Sequence, residues 1–244
     1  MKNYFIRISL YAAFLFLITN CASKKNTAIT AVKTDIPVKD TVVYKAKPVS
    51  EKKTFFKDSD KETAWVDSIY NKMSAREKIG QLFMISAYSN RDSLHTKEVS
   101  ALIQDYKVGG LIFFQGGPVR QAKLTNLYQS KAKVPLFIAI DGEWGLGMRL
   151  DSTYIYPWNM TLGAIQDLSL IENVGRNMAN ENKRIGIHFN FAPVLDINTN
   201  PKNPIIGNRS FGEDKVNVSN RAIALMNGVQ GQGVFCTGKH FPGH

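Results

Sequence analysis

Five side chains suited to polar chemistry directly follow apolar segments of this sequence: Asp141, Glu143, Asp196, Lys239 and His240. Carboxylates accept hydrogen bonds and the ammonium group of lysine donates them, so this set is suited to a ligand that carries hydroxyl groups. A lysine that emerges from a buried segment needs either such a ligand or a carboxylate as its partner. An ion pair of Lys239 with Asp196 or Asp141 is therefore the structural alternative to ligand binding.

Two loops add further candidates to this set. Residues 141–149 contain three glycines, which let the backbone approach a ligand closely, and Trp144 is placed to cover the apolar face of a sugar. Arg209 follows a long loop rich in Asn and Pro, residues 197–208, and long loops in compact folds are often functional. Its guanidinium can donate to hydroxyl or carbonyl oxygens. The alternatives are a solvated loop around Trp144 and, for Arg209, a salt bridge that pins its loop.

Other motifs in the sequence are incomplete. His240 and His244 have the spacing of a helical zinc pair, but the Pro-Gly pair between them excludes a helix, so we expect no metal site. Residues 145–150 lack the third glycine of a dinucleotide fingerprint. The sequence contains no Gly-x-Ser-x-Gly, which argues against a serine hydrolase of that type. We therefore expect no cofactor.

Apolar periodicity and capping signals predict an alternation of strands and helices. A capping box formed by Ser74 and Glu77 opens a short helix. Continuously apolar strands that alternate with helices are typical of parallel sheets. The predicted strands are residues 82–86, 111–114, 136–140, 187–195 and 234–237, and the predicted longer helices are residues 96–106, 118–131, 168–184 and 214–229.

The predicted fold class is α/β. A doubly wound open sheet and a (β/α)8 barrel both fit the alternation, and two features favour the barrel. Polar residues follow several different strands, as in catalytic barrels, and no phosphate-binding loop follows the first strand. A barrel of this kind closes with eight strands. Because five strands are predicted, we expect a TIM-barrel type domain that is truncated after about the fifth strand.

The amino-terminal quarter of the chain differs in composition from the rest. Residues 1–60 contain 11 Lys or Arg and 5 Asp or Glu, which gives more than half of the net charge of +11. Residues 1–21 combine basic residues with a short apolar run, residues 8–18, which is followed closely by Cys21, and they resemble the signal peptide of a bacterial lipoprotein. An ordinary signal peptide with an incidental cysteine is the alternative. Residues 22–60 are predicted to be a flexible tether, and residues 61–244 the globular domain.

We therefore expect lipidation at Cys21 and attachment of the protein to a membrane through this lipid. The expected location is the cell envelope, as a periplasmic or outer-membrane lipoprotein of a Gram-negative bacterium. The basic excess fits a leader near an anionic membrane. No basic stripe interleaved with aromatic residues follows it, so nucleic acid is not an expected partner.

Five segments, taken in order, resemble glycoside hydrolase family 3 in its β-N-acetylglucosaminidase branch. These segments are residues 73–82, 109–114, 191–196, 209–212 and 239–244. The resemblance implies a (β/α)8 barrel, and it implies that five residues bind the terminal sugar: Asp141, Arg149, Arg209, Lys239 and His240. The usual Asp-Gln-Glu-Gly-Gly of the family is Asp-Gly-Glu-Trp-Gly here. Trp144 is therefore a candidate to change what lies beyond the first sugar.

The resemblance also implies a reaction. It is the retaining hydrolysis of terminal, non-reducing β-linked N-acetylglucosamine from peptidoglycan fragments or chitin-like oligosaccharides. In that branch the nucleophile and the acid/base follow the Lys-His-Phe-Pro-Gly-His segment. We therefore assign no catalytic residue to this chain and expect these residues alone to be inactive. The alternatives are a family 3 β-glucosidase and a non-catalytic, sugar-binding lipoprotein fragment.

Overall fold

A computed structural model describes residues 60–244, so the predicted signal segment, Cys21 and nearly all of the predicted tether lie outside the described residues. None of the helices in this described part is long and apolar enough to cross a membrane. The helices are α1 (Asp60–Tyr70), α2 (Ala75–Gly80), α3 (Ser93–Tyr106), α4 (Pro118–Lys131), α5 (Asn159–Gly163), α6 (Leu168–Arg184) and α7 (Lys215–Gln230). The strands are β1 (Met84–Ala87), β2 (Gly110–Phe113), β3 (Phe137–Ile140), β4 (Phe189–Asn190) and β5 (Phe235–Cys236).

The strands form one parallel sheet in the order β1-β2-β3-β4-β5, which confirms the predicted parallel α/β arrangement. Their last residues pair across the whole sheet in a single row: Ala87, Phe113, Ile140, Asn190 and Cys236. Because all strands run in the same direction, the loops that follow them start side by side. The polar residues of these loops therefore gather at one edge, which we call the carboxyl edge.

Strand β4 is shorter than the sequence predicts. The prediction extends it over residues 187–195, whereas the paired segment is Phe189–Asn190. Pro193 has no N–H to donate to a neighbouring strand, which interrupts the ladder. Parallel pairing resumes at an isolated bridge between Val194 and Lys239. This bridge fixes the position of Lys239 beyond the end of β5.

Side chains cap α2, α6 and α7 close to the residues where the sequence predicts that these helices begin. Ser74 and Glu77 form a reciprocal capping box before α2. Asp167 and Asp214 accept backbone N–H bonds from the first turns of α6 and α7. Pro118 occupies the first turn of α4, where the missing N–H costs nothing.

Two apolar clusters hold the helices in place around the sheet. The first packs β1, β2 and β3 against α3 and α4, with Phe113 completely buried at its centre. The second lies at α6 and α7 and contains the buried ring of Phe211. Gly228 lets α7 approach α6 closely, because a Cβ there would lie 2.0 Å from the carbonyl oxygen of Glu172. The second cluster anchors the chain two residues beyond Arg209.

Candidate functional site

The five side chains predicted to bind a ligand come together at the carboxyl edge: Asp141, Arg149, Arg209, Lys239 and His240. Asp141 makes ion pairs with both Arg149 and Lys239. On the other side of the site, the Nη2 of Arg209 lies 3.4 Å from the Nε2 of His240. Glu143 connects the two groups, since it makes ion pairs with both Arg209 and Lys239.

Asp141 is held between two cations. Its Oδ1 accepts a hydrogen bond from the Nζ of Lys239, and its Oδ2 accepts one from the Nη2 of Arg149. The Nε of Arg149 also donates to the carbonyl oxygen of Asp141 at 2.9 Å, and its guanidinium lies 5.1 Å from the ring centroid of Phe114. The three charged side chains remain between 14% and 21% exposed. The carboxylate of Asp141 is therefore fixed in position and still accessible to a ligand.

Glu143 is the buried centre of the site, with 1% of the residue exposed. Its carboxylate accepts two hydrogen bonds from Arg209, at 2.9 Å and 2.7 Å, and one of its oxygens lies 2.7 Å from the Nζ of Lys239. The bonds with Glu143 raise the pKa of Arg209, although burial opposes this shift. Lys239 thus pairs with Asp141 and Glu143, and the other partner considered from the sequence, Asp196, bonds elsewhere.

The ion pair between Glu143 and Arg209 is the salt bridge that the sequence left open as an alternative for Arg209. It does not exclude ligand binding, because the side chain of Arg209 remains 23% exposed. From the sequence, Glu143 was counted among the polar residues at strand ends but was given no binding role. The signal that points to it is its position two residues after Asp141, at the end of a buried strand.

Asp196 organises the part of the site that contains the imidazole. Its Oδ2 lies 2.6 Å from the Nδ1 of His240 and accepts the backbone N–H of the same residue at 3.1 Å. Its Oδ1 accepts the backbone N–H of His244 at 2.8 Å. The side chain of Asp196 is 1% exposed. It therefore fixes both ends of the turn 240–244 and the orientation of the His240 ring.

The stability of the protein is expected to depend on the ionisation of Asp196. Burial alone would raise the pKa of Asp196, but hydrogen bonds from the His240 side chain and from the backbone of His244 and His240 hold it below its ordinary value. A carboxylate whose pKa is lowered by folding stabilises the protein above its unfolded pKa of about 3.9, and this contribution is lost as the pH falls through the folded pKa.

We therefore compare wild type with Asp196→Asn by urea denaturation between about pH 6 and about pH 3. The difference in the free energy of unfolding is expected to be constant above roughly pH 5 and to shrink below it. A difference that stays the same down to the acid end of this range would contradict the role of the ionised carboxylate.

Hydrogen bonds on both sides place Arg209 in the site. Asn159, the first residue of α5, is 1% exposed, and its side-chain amide donates to the carbonyl oxygen of Arg209 at 2.8 Å. The Oγ of Ser210 donates to the carbonyl oxygen of Asp196 at 2.6 Å. Neither α5 nor this function of Asn159 was predicted from the sequence. The short helix has no apolar periodicity long enough to reveal it.

The charges of the site balance within the described residues. Asp141 and Glu143 pair with Arg149, Arg209 and Lys239, and Asp196 pairs with His240, so three carboxylates stand beside three permanent cations and one imidazole. A site with fixed donors and acceptors and no net charge from these groups is suited to an uncharged ligand with many hydroxyl groups. Within residues 60–244, no group of three or more His, Cys, Asp or Glu residues is placed to hold a metal ion.

Comparison with known proteins places this fold and site in a family. The family model described as "Glycosyl hydrolase family 3 N terminal domain" matches residues 74–244. The chain belongs to glycoside hydrolase family 3. Its parallel sheet is part of a TIM-barrel type domain, as the sequence predicts, and within the described residues the sheet has five strands and is not closed.

Individual relatives agree with this assignment. Beta-hexosaminidase A of Pseudoalteromonas piscicida is 36% identical over 160 residues, which cover 60% of this chain and 27% of the relative. A beta-N-acetylglucosaminidase/beta-glucosidase of Cellulomonas fimi is 30% identical over 188 residues, or 77% of this chain and 33% of the relative. The solved structure of a glycoside hydrolase family 3 beta-N-acetylglucosaminidase from Paenibacillus sp. str. FPU-7 aligns with a TM-score of 0.64 and 37% identity, covering 70% of this chain and 34% of that one. The chain spans about a quarter to a third of the length of these relatives.

Proposed function

We propose that the site at the carboxyl edge binds the terminal sugar of a substrate for a retaining exo-β-N-acetylglucosaminidase. The substrates are peptidoglycan fragments or chitin-like oligosaccharides that end in β-linked N-acetylglucosamine. One observation carries the proposal: the accessible carboxylate of Asp141 is fixed between Arg149 and Lys239. An acceptor flanked by two donors at fixed positions matches adjacent hydroxyl groups on a sugar ring, which both donate and accept hydrogen bonds.

Each of the five residues has a binding role in this proposal. Asp141 accepts hydrogen bonds from sugar hydroxyls, while Arg149, Arg209 and Lys239 donate to hydroxyl or carbonyl oxygens. The Nδ1 of His240 is occupied by Asp196, so we assign ligand contact to the Nε2 side of the ring, which also lies 3.4 Å from the Nη2 of Arg209. The resulting site recognises the terminal unit of a chain.

We assign no catalytic role within the described residues. Retaining glycosidases need one carboxylate as nucleophile and a second group as acid/base. The carboxylates of Asp141 and Glu143 are each bound by two cationic side chains, and that of Asp196 is bound by His240 and two backbone groups. A carboxylate engaged in this way is a poor nucleophile, because attack would require it to give up these bonds.

The test is hydrolysis of a matched pair of aryl glycosides by the protein expressed from its complete coding sequence. We expect kcat/KM for the aryl β-N-acetylglucosaminide to exceed that for the aryl β-glucoside by about a hundredfold or more, since a site built to bond an acetamido group leaves polar groups unpaired with glucose. A preference for the glucoside would instead support a family 3 β-glucosidase. This alternative is relevant because the Cellulomonas fimi relative carries both activities in its name.

A non-catalytic sugar-binding protein is the second alternative. Binding of N-acetylglucosamine without hydrolysis of either glycoside would support it. The hydrolysis assay together with calorimetric binding of N-acetylglucosamine therefore separates the three possibilities, provided that the amount of folded protein is measured in parallel by circular dichroism.

We also propose that Cys21 carries a lipid that anchors the protein in the cell envelope. The support is the apolar run of eleven uncharged residues, 8–18, which follows basic residues and ends three residues before the cysteine. Its length suits a signal peptide better than a membrane-spanning helix. Acylation of this cysteine would provide stable attachment.

The test of the anchor is Cys21→Ser in cells, followed by separation of membrane and soluble fractions. We expect the wild-type protein in the membrane fraction and most of the variant in an uncleaved or soluble form. If both proteins are cleaved to the same size and distribute in the same way, the cysteine is incidental and the segment is an ordinary signal peptide. Cys236→Ser is the matched control, because this thiol is partly buried and burial raises its pKa to about 11.

A further inference from the structure

A surface segment, residues 150–158, is tied to the candidate site at both ends. Arg149 precedes the segment and belongs to the site. Asn159 follows it and donates a hydrogen bond to the carbonyl oxygen of Arg209 at 2.8 Å. Trp158 is therefore the immediate neighbour of a buried residue that contacts the site.

This segment presents large apolar side chains to solvent. Tyr154 and Ile155 are each 63% exposed, and Trp158 is 44% exposed. Trp144 lies against Trp158, with ring centroids 4.2 Å apart and an angle of 45° between the ring planes. Because Trp144 directly follows Glu143 in the chain, both members of the tryptophan pair adjoin residues bound to Arg209.

Packing within the fold accounts for the position of Trp144 better than for the exposed ring of Trp158. Trp144 is partly buried against the second apolar cluster, so its ring contributes to the stability of the fold. Trp158 packs on Trp144 and leaves nearly half of its surface in water. Trp158 thus has an aromatic ring held against Trp144, a partly uncovered surface, and as its next residue Asn159, which bonds the backbone of Arg209. An exposed aromatic surface of this kind is available to a ligand.

We propose that Trp158, supported by Trp144, is a stacking platform for the second sugar of a β-linked N-acetylglucosamine oligosaccharide. The C–H face of a pyranose ring is apolar and packs on indole, while its hydroxyl groups remain in water at the edge. This inference rests on the proposed function, in which the terminal sugar occupies the site next to Arg209. It adds a preference for chain length: the platform stabilises oligosaccharides and contributes nothing to the binding of a single sugar.

The experiment is isothermal titration calorimetry on the protein from its complete coding sequence. N-acetylglucosamine is compared with its β-1,4-linked trimer in which sulfur replaces the bridging oxygens, because this trimer resists hydrolysis. We expect wild type to bind the trimer about tenfold more tightly than the single sugar, the size of one aromatic contact. We expect Trp158→Ala to bind both sugars within about twofold of each other and to keep its affinity for the single sugar.

The matched control is Trp65→Ala. Trp65 is 57% exposed on α1, where it lines a surface groove with Gly109 and Phe137, at the amino ends of β2 and β3. It is thus an exposed tryptophan at the edge of the sheet opposite the site. This variant is expected to keep the full preference for the trimer.

The possible outcomes distinguish a failure of the stacking platform from a failure of the proposed function. A trimer preference that survives in Trp158→Ala, or that is absent in wild type while the single sugar still binds, overturns the stacking platform alone. If wild type binds neither sugar, the proposed function fails and the platform fails with it. Retention of single-sugar affinity in Trp158→Ala shows that the variant is folded and that the first site is intact.

Discussion

Asp141→Asn is expected to lower the affinity for N-acetylglucosamine about a hundredfold or more. The change removes one acceptor oxygen and places an amide donor next to Arg149 or Lys239, both of which are donors themselves. Hydrogen bonds to charged groups contribute about 1.5–3 kcal/mol each, so the loss of two of them gives an effect of this size. Isothermal titration calorimetry of the wild-type and variant proteins measures it directly.

Asp151→Asn is the matched control for this substitution. Asp151 pairs with Arg120 at the surface, and both side chains are more than half exposed. Exposed pairs of this kind contribute little, so sugar affinity and stability are expected to remain close to wild type. An Asp141→Asn protein that is folded and binds N-acetylglucosamine within about threefold of wild type would contradict the binding role of Asp141.

Glu143→Gln is expected to destabilise the protein by about 3–5 kcal/mol, because removing one partner of a buried ion pair leaves uncompensated charge. The side chain of Glu143 is completely inaccessible to solvent and is bound by Arg209 and Lys239. In the variant, both cations lose half or more of their compensation, and a neutral amide faces two sets of N–H donors. Urea denaturation monitored by circular dichroism gives the change in the free energy of unfolding.

The matched control for Glu143 is Glu172→Gln. Glu172 pairs with Arg176 one helical turn away, and both side chains are at least one third exposed. This pair is expected to contribute less than about 0.5 kcal/mol. If Glu143→Gln were no more destabilising than Glu172→Gln, Glu143 would not be the structural centre of the site.

Most of the fold could be predicted from the sequence because its signals are local. The bounds of α4 and α6 agree with the prediction at both ends, since Pro118 starts the first and Asp167 caps the second. Helix α3 begins three residues before the predicted start, because Asp92 caps it ahead of the apolar repeat. The length of β4 was wrong because apolar character continues through residues that no longer pair in the ladder.

The sequence indicated which residues gather at the site, but it did not indicate which of them bond to one another. The five residues predicted to bind a ligand were chosen from strand ends and from the family resemblance, and the structure brings their side chains together, while their binding role stays a prediction. The sequence did not indicate that Glu143 joins Arg209 to Lys239, because these residues are 66 and 96 positions away along the chain. The choice of carboxylate that pairs with Lys239 depends on the strand register and on the bridge between Val194 and Lys239. Both are defined only in the folded sheet.

The most direct test is a crystal structure of the protein with N-acetylglucosamine bound. We expect one sugar at the carboxyl edge, with its hydroxyl oxygens within hydrogen-bond distance of the Asp141 carboxylate, the Lys239 ammonium and the Arg209 guanidinium. A sugar bound elsewhere, or an unoccupied site at a concentration that saturates binding in solution, would contradict the assignment of these residues.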